Sequence, residues 1–335
     1  MAPASLCRRA VMTIFGLILA KPEKHRMPAV DAVCPVKPLS RIAASDVITC
    51  GYLVIIGVLA TVFAERIPQW WWYPVMHAVL VLGLSVFLWK LPPAPRGWML
   101  FVRWWYPAFL IPPIFSELPY LVHPVNPHDM DAQLTAVDFA LFGVHPTLWL
   151  EAITVPWLTE SMQLAYMTFY FLPFVLCVPL YRRRRLLAFR VALCALLLTY
   201  YASYLLYFVT PARGPRFYLA SLQTLPLTGV WLTAPLQAGL DVLEGVQRDA
   251  FPSGHTAIAC VVLALAMRYQ RRQVPVLLVV VASLVMSTVY LRYHYVIDVI
   301  AGGLLAVLCL GVTYCLYREP ETRYTALALS TQRSK

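Results

Sequence analysis

This 335-residue sequence predicts an all-α membrane protein with about eight transmembrane helices. Three observations carry that prediction. Hydrophobic residues make up 60% of the chain and charged residues 13%, about half the share of roughly 25% usual in soluble domains. The apolar residues fall in runs of about 20, the length a helix needs to cross a bilayer. Lys and Arg gather on alternate connections between those runs, as the positive-inside rule expects. Together with a mean hydropathy of +0.68, these exclude a soluble globular enzyme, a disordered chain and a coiled coil. The eight cysteines (7, 34, 50, 177, 194, 260, 309 and 315) show no CxxC pair and no metal-ligand spacing. Most sit in apolar runs as small hydrophobes, so no disulfide framework is expected.

The spans read in order as 47–64, 73–91, 98–121, 161–181, 187–209, 254–270, 274–291 and 296–317. The third is the weakest. It carries Arg103, Pro107, Pro112, Pro113 and Glu117, which suits a broken or re-entrant segment. Residues 1–45 form a basic N-terminal segment holding Arg8, Arg9, Lys21, Lys24, Arg26, Lys37 and Arg41. Within it, residues 8–20 read as an interfacial amphipathic segment or an overlong start rather than a cleaved signal. Residues 46–160 hold the first three spans and a long loop. Residues 161–317 hold the remaining spans, and 318–335 form a tail. Of the 27 Lys and Arg, only Arg66, Arg213, Arg216, Arg248 and Arg292 fall on the side opposite the N-terminus. Both termini are therefore expected in the cytoplasm. Trp70 to Trp72, Trp104, Trp105 and Trp231 are expected to form interfacial belts.

Three polar clusters fall at the outer ends of the later spans: YFVTPARGPRFY at 207–218, FPSGHTA at 251–257 and STVYLRYHYVIDVIAG at 287–302. Alternating span direction brings all three to one face. In the second, Ser253 is a natural helix N-cap and Gly254 lets a ligand approach the backbone. Free amides at a helix start attract an anion, and His255 sits in that first turn. In the third, His294 and Asp298 are four apart on one helix face, where a carboxylate can fix the imidazole tautomer. Arg213, Arg216 and Arg292 supply guanidinium groups suited to phosphate oxygens. This set fits phosphoryl transfer without a metal: His294 attacks phosphorus, Asp298 orients it, and His255 serves as acid and then base. Arg213, Arg216, Arg292, Ser253 and Gly254 bind the phosphate. Glu117 is a further, remote candidate for substrate contact. His123, His128, Asp129, Asp131, Asp138 and His145 in the long 122–160 loop are placed to meet a headgroup, with loop solvation the simpler reading.

FPSGHTA and HYVIDVIAG resemble the second and third signature motifs of the type 2 phosphatidic acid phosphatase superfamily. The likeness covers roughly residues 160–317, with weaker similarity in ELPYL and DFALFGVHPTLWL. It implies a six-helix-type phosphatase core in the C-terminal half, with the site at the outer membrane face. In that likeness His294 matches the nucleophile, Asp298 its partner and His255 the acid/base. Two departures stand out. No Lys lies between residues 91 and 334, so the first phosphatase motif lacks its Lys. Thr288 occupies the place of an Arg six residues before the nucleophile. PARGPR with RYHYVIDV looks more like the inositol phosphorylceramide synthase branch.

The expected substrate is a membrane lipid phosphate, with water or a second alcohol as acceptor; a polyprenyl diphosphate is another donor option. The alternative of a different class is a catalytically decayed lipid-binding or transport protein. No nucleotide loop, metal-ligand cluster or haem motif is present, so no cofactor and no metal are inferred. Net charge +11 is no argument for nucleic acid, because the basic surface suits anionic lipids.

Overall fold

A backbone inside lipid must satisfy its hydrogen bonds within itself, so apolar stretches here become helices. The computed structural model describes residues 42–92, 95–244 and 248–333. The segment read at 8–20 lies outside them. No strand occurs among the described residues. The main helices are α1 (Ala44–Val62), α2 (Trp72–Lys90), α3 (Trp98–Phe109), α4 (Leu118–Val125), α5 (Asp131–Phe142) and α6 (Pro156–Met167). They continue as α7 (Leu172–Arg182), α8 (Leu186–Val209), α9 (Thr233–Glu244), α10 (Gly254–Tyr269), α11 (Val274–Tyr290) and α12 (Val296–Arg333).

Among the described residues, six segments are long and apolar enough to cross a bilayer: Ala44–Val62, Trp72–Lys90, Pro156–Arg182, Leu186–Val209, Arg271–Tyr290 and Val296–Tyr317. The third of these joins α6 and α7 through the 3-10 turn Thr168–Phe171. The chain is thus an all-α, multi-pass membrane protein. The expected span at 254–270 is α10, an apolar helix of 16 residues that starts at its Ser253 cap. The expected span at 98–121 is broken. Pro112 and Pro113 lack the amides a continuing helix needs, so α3 stops at Phe109 and a short turn, Ile111–Phe115, leads to α4.

Helix α8 is the axis of the bundle. Of its apolar window 72% is buried, against 11% for α2 at the periphery. It packs against α1, α7, α10 and α12. The α1 contact is aromatic, with Tyr52 stacked on Tyr201 at 4.5 Å between ring centroids.

Trp70, Trp71, Trp72 and Trp231 are exposed, as interfacial anchors are. Trp104 and Trp105 correct that expectation: they are 3% and 5% exposed. Trp105 stacks on Phe174 and tilts against Phe189 instead. Next to them lies a buried ion pair. Arg103 donates to both carboxylate oxygens of Asp46, at 2.9 and 2.6 Å, and the Tyr106 hydroxyl donates to the same group at 2.6 Å. Asp46 also caps α1 by accepting the Ala43 amide at 2.7 Å. With both partners almost sealed from solvent, removing one leaves the other charge buried and unmatched. Asp46→Ala is expected to destabilise the protein by about 3–5 kcal/mol. The paired change Asp46→Leu with Arg103→Met is expected to recover most of that loss. Thermal unfolding of the detergent-solubilised variants reads both.

Candidate functional site

Three connections meet at one end of the bundle: residues 210–218 after α8, 249–253 before α10, and 291–295 between α11 and α12. The N-terminus of α10 is built by Ser253, whose Oγ accepts the Thr256 amide at 3.3 Å. Gly254 follows with no room for a side chain: a Cβ there would lie 2.8 Å from the Tyr207 hydroxyl. His255 occupies the first turn, with its ring between Tyr166 and Phe169 at centroid distances of 4.7 and 4.2 Å. Tyr166 in turn stacks on Tyr293 at 4.6 Å.

His294 is 3% exposed. Its Nδ1 lies 2.8 Å from the Ala250 carbonyl oxygen. A carbonyl only accepts, so Nδ1 carries the proton and the Nε2 lone pair is left available. Nε2 faces Nδ1 of His255 at 3.4 Å. The structure therefore brings His255 and His294 together, and a backbone carbonyl orients the second ring. Asp298 is fully buried, with Oδ2 at 3.7 Å from His294 Nδ1. Its hydrogen bond goes to the Tyr295 amide, at 2.8 Å, one side of a capping box at the start of α12. The Asp298 carbonyl accepts the Ser253 amide at 3.0 Å, which ties α12 to the start of α10. Gly302 permits this approach, since a Cβ there would lie 2.4 Å from the Ser253 carbonyl oxygen.

The loop carboxylates depart from the solvation reading. Asp131 and Asp138 are each 1% exposed. Asp138 accepts the Val296 and Ile297 amides at 2.8 and 2.9 Å, so it fills the N-terminus of α12. Burial raises its carboxyl pKa, against those two hydrogen bonds. Asp131 accepts the Arg213 and Gly214 amides and the Tyr295 hydroxyl, each at 2.9 Å. Burial pushes the Tyr295 phenol up, and the Asp131 charge adds to this, so the hydroxyl stays a donor. The Ala212 carbonyl next to these amides accepts the Ala250 amide at 3.1 Å. A closed circuit results. It runs from Asp131 through residues 212–214 to Ala250, on to His294 and Tyr295, and back to Asp131. Of the remaining loop residues, His123 and His128 are exposed, while Asp129 pairs with Arg248 at 2.7 Å. His145 packs on Phe139.

The arginines divide. Arg213 is exposed, with its guanidinium over the Phe217 ring at 5.8 Å. Arg216 makes a two-pronged pair with Asp241 at 2.6 and 3.0 Å, on a carboxylate that is half exposed. Arg292 is 5% exposed and turns toward the loops. It donates to Glu151, Gln223 and the Leu225 carbonyl at 2.8–2.9 Å. Glu117 partners His77 of α2 at 3.0 Å. Glu160, unmarked in the sequence, accepts the amides of residues 230–233 and the Thr233 hydroxyl, filling the N-terminus of α9. Among the described residues no group of three or more His, Cys, Asp or Glu is placed to hold a metal ion.

Sequence reasoning missed Ala250, Tyr166 and Phe169 as site residues, and misread Asp131 and Asp138. For the two aspartates a signal existed: seven residues is about two helical turns, which puts both on one face of α5.

Fold and site together define a multi-pass membrane protein with a histidine pair set against a helix N-terminus. Residues 132–312, more than half of the chain, match the family model of the PAP2 superfamily, and the chain belongs to that superfamily. The matched region includes α5 after its first residue, Asp131, and so takes in Asp138 as well as both histidines. No curated protein and no solved structure matches the chain. Membership supports an activity of the phosphatase or phosphotransferase kind.

If the Asp131 circuit aims His294, Asp131→Asn should lower kcat on the order of 10²-fold with KM nearly unchanged. An amide keeps one acceptor oxygen and turns an NH2 toward a backbone donor. Tyr295→Phe removes one of the three bonds and should cost less, about 1 kcal/mol in the barrier. Steady-state kinetics of the two variants check this order.

Proposed function

We propose that the chain is a metal-independent lipid phosphatase or lipid headgroup phosphotransferase acting through a phosphohistidine on His294. The observation that carries this reading is the pairing of commitments on one ring. His294 Nδ1 is engaged by Ala250, so Nε2 is the nucleophile, and it faces His255 at 3.4 Å. The state of the helix N-termini at this end supports where the phosphate goes. That of α12 is filled by Asp138 and Asp298, and that of α9 by Glu160. The start of α10 is capped by the neutral Ser253, so its dipole and first-turn amides suit an anion.

In this mechanism a lipid phosphate enters between the two imidazoles and parts their contact. The Nε2 lone pair of His294 attacks phosphorus, and the bond from phosphorus to the leaving alcohol oxygen breaks. His255 gives that oxygen its proton. Water or a second alcohol then gives a proton to His255 and attacks phosphorus, and the P–N bond breaks. Asp298, 3.7 Å from His294 Nδ1, stabilises the positive charge that the ring acquires. Arg213 and the α10 amides meet the equatorial oxygens, and Arg216 joins them by exchanging its exposed partner Asp241. Arg292 braces the loop through Glu151, and Glu117 takes no part in this sequence of steps.

The basic end of the bundle is taken as cytoplasmic, which puts both termini inside and the histidines at the extracytoplasmic face. The partners are then a membrane lipid phosphate and, for transfer, an alcohol acceptor. One observation favours a reading closer to inositol phosphorylceramide synthases than to phosphatases. Thr288 stands where the phosphatase pattern has an Arg. Here it is buried, and its carbonyl accepts the Tyr293 and His294 amides at 3.0 and 3.1 Å. That position shapes the histidine loop and offers no cation.

The test is product analysis with detergent-purified protein. The donors are phosphatidic acid, a polyprenyl diphosphate and phosphatidylinositol, each with and without ceramide. Free phosphate without acceptor, lost in His294→Ala, identifies a phosphatase. A new phospholipid formed only with acceptor identifies a transferase. No turnover by the wild-type protein under any condition would support a decayed lipid-binding protein instead. His255→Ala is expected to slow the active reaction by 10²–10⁴-fold, the usual contribution of a general acid–base group.

A further inference from the structure

At the end of the bundle away from the histidines, Gly97, Leu100, Tyr181, Arg182 and Arg184 line a cavity of about 220 Å³. The two ends are well separated. Tyr166, against His255, and Arg182 lie sixteen residues apart on one continuous span, about 24 Å along a helix.

The turn that closes α7 explains how the cavity is built. The Arg184 amide donates to the Tyr181 carbonyl and the Arg185 amide to the Leu180 carbonyl, both at 3.0 Å. This is a Schellman-type ending, whose left-handed residue is usually glycine. Here Arg184 takes that position, with φ +58°. A side chain is thus kept where the backbone favours having none, and it lines the cavity beside Arg182. Both arginines are exposed, and among the described residues neither guanidinium has a carboxylate partner. Their neighbour Arg185 is engaged differently, donating to the Tyr269 carbonyl at 2.8 Å. Asp46, at the start of α1, is taken by Arg103 and Tyr106.

The opposite wall begins with Gly97 and the first turn of α3, whose amides have no helical acceptor. Beside it Trp98 and Phe101 are 68% and 42% exposed. Phe101 packs edge-on against Tyr181. A cationic cavity is thus bordered by apolar side chains at the level where a bilayer interface would run.

We propose that this cavity binds the phosphate of an anionic lipid headgroup, with the acyl chains running along Trp98 and Phe101. Free phosphate offers the same oxygens to Arg182 and Arg184 but would leave that apolar border unused. The proposal is independent of the chemistry at His294.

Native mass spectrometry of the detergent-solubilised full chain, titrated with phosphatidylglycerol or phosphatidylcholine, tests it. The wild-type protein is expected to retain phosphatidylglycerol in preference to phosphatidylcholine. Arg182→Gln with Arg184→Gln should weaken that retention at least about tenfold. Arg184→Gly keeps the turn in its favoured residue and removes one charge. It should weaken retention with no fall in the unfolding temperature. Arg271→Gln with Arg272→Gln, the same charge change at the same end but outside the cavity, should leave retention intact. Equal loss in this control pair, or unchanged retention in the cavity variants, would overturn the proposal. Displacement of phosphatidylglycerol by inorganic phosphate would make bare phosphate the ligand and overturn the lipid assignment.

Discussion

The hydrogen bond from His294 Nδ1 to the Ala250 carbonyl is the constraint on which the rest of the site depends. It selects the tautomer, fixes the ring plane and leaves Nε2 pointing at His255. Both ends of that bond sit on loops, which do not hold position by themselves. Asp131 supplies the rigidity from outside the two histidine motifs. One carboxylate grips the amides of Arg213 and Gly214 on one side and the Tyr295 hydroxyl on the other. Gly214 is needed there twice over: its φ is +84°, and a Cβ would lie 2.5 Å from the Tyr293 carbonyl oxygen. α5, which the sequence places within the long outer loop, is therefore tied directly to residues 213–214 and to the loop that carries His294.

A second principle organises the same end of the molecule. Helix N-termini carry partial positive charge, and unsatisfied amides there need acceptors. The protein fills two of them with its own carboxylates, Asp138 with Asp298 on α12 and Glu160 on α9. Those internal anions brace the loops. At α10 the cap is a serine, which brings no negative charge of its own. The contrast among three helices at one end of one bundle gives the site its direction.

How much of this was legible in the sequence follows from the range of the forces involved. Spans are set by local composition, so six of them matched apolar runs. The break near residue 110 was visible in its prolines, because a missing amide acts locally. The histidine pair was legible because helix starts and short spacings carry it. Which face of an apolar helix turns inward was not legible, since lipid and protein interior reward the same residues. Trp104 and Trp105 were misplaced for that reason. Arg292 also depends on distant partners: it lies two residues before His294, yet Glu151 and Gln223 draw it to the loops. The role of Asp298 shifted in the same way, from a direct bond to His294 toward a cap on Tyr295 at hydrogen-bond distance.

The central claim is that Nε2 of His294 accepts the phosphoryl group. The most direct measurement is to react the protein with a phosphoryl-labelled lipid donor, quench in alkali, where a phosphohistidine survives, and map the label by peptide mass spectrometry. The account predicts label on His294 in the wild-type protein and none in His294→Asn. Turnover by the wild-type protein with no label on His294, or with label on another residue, would contradict it.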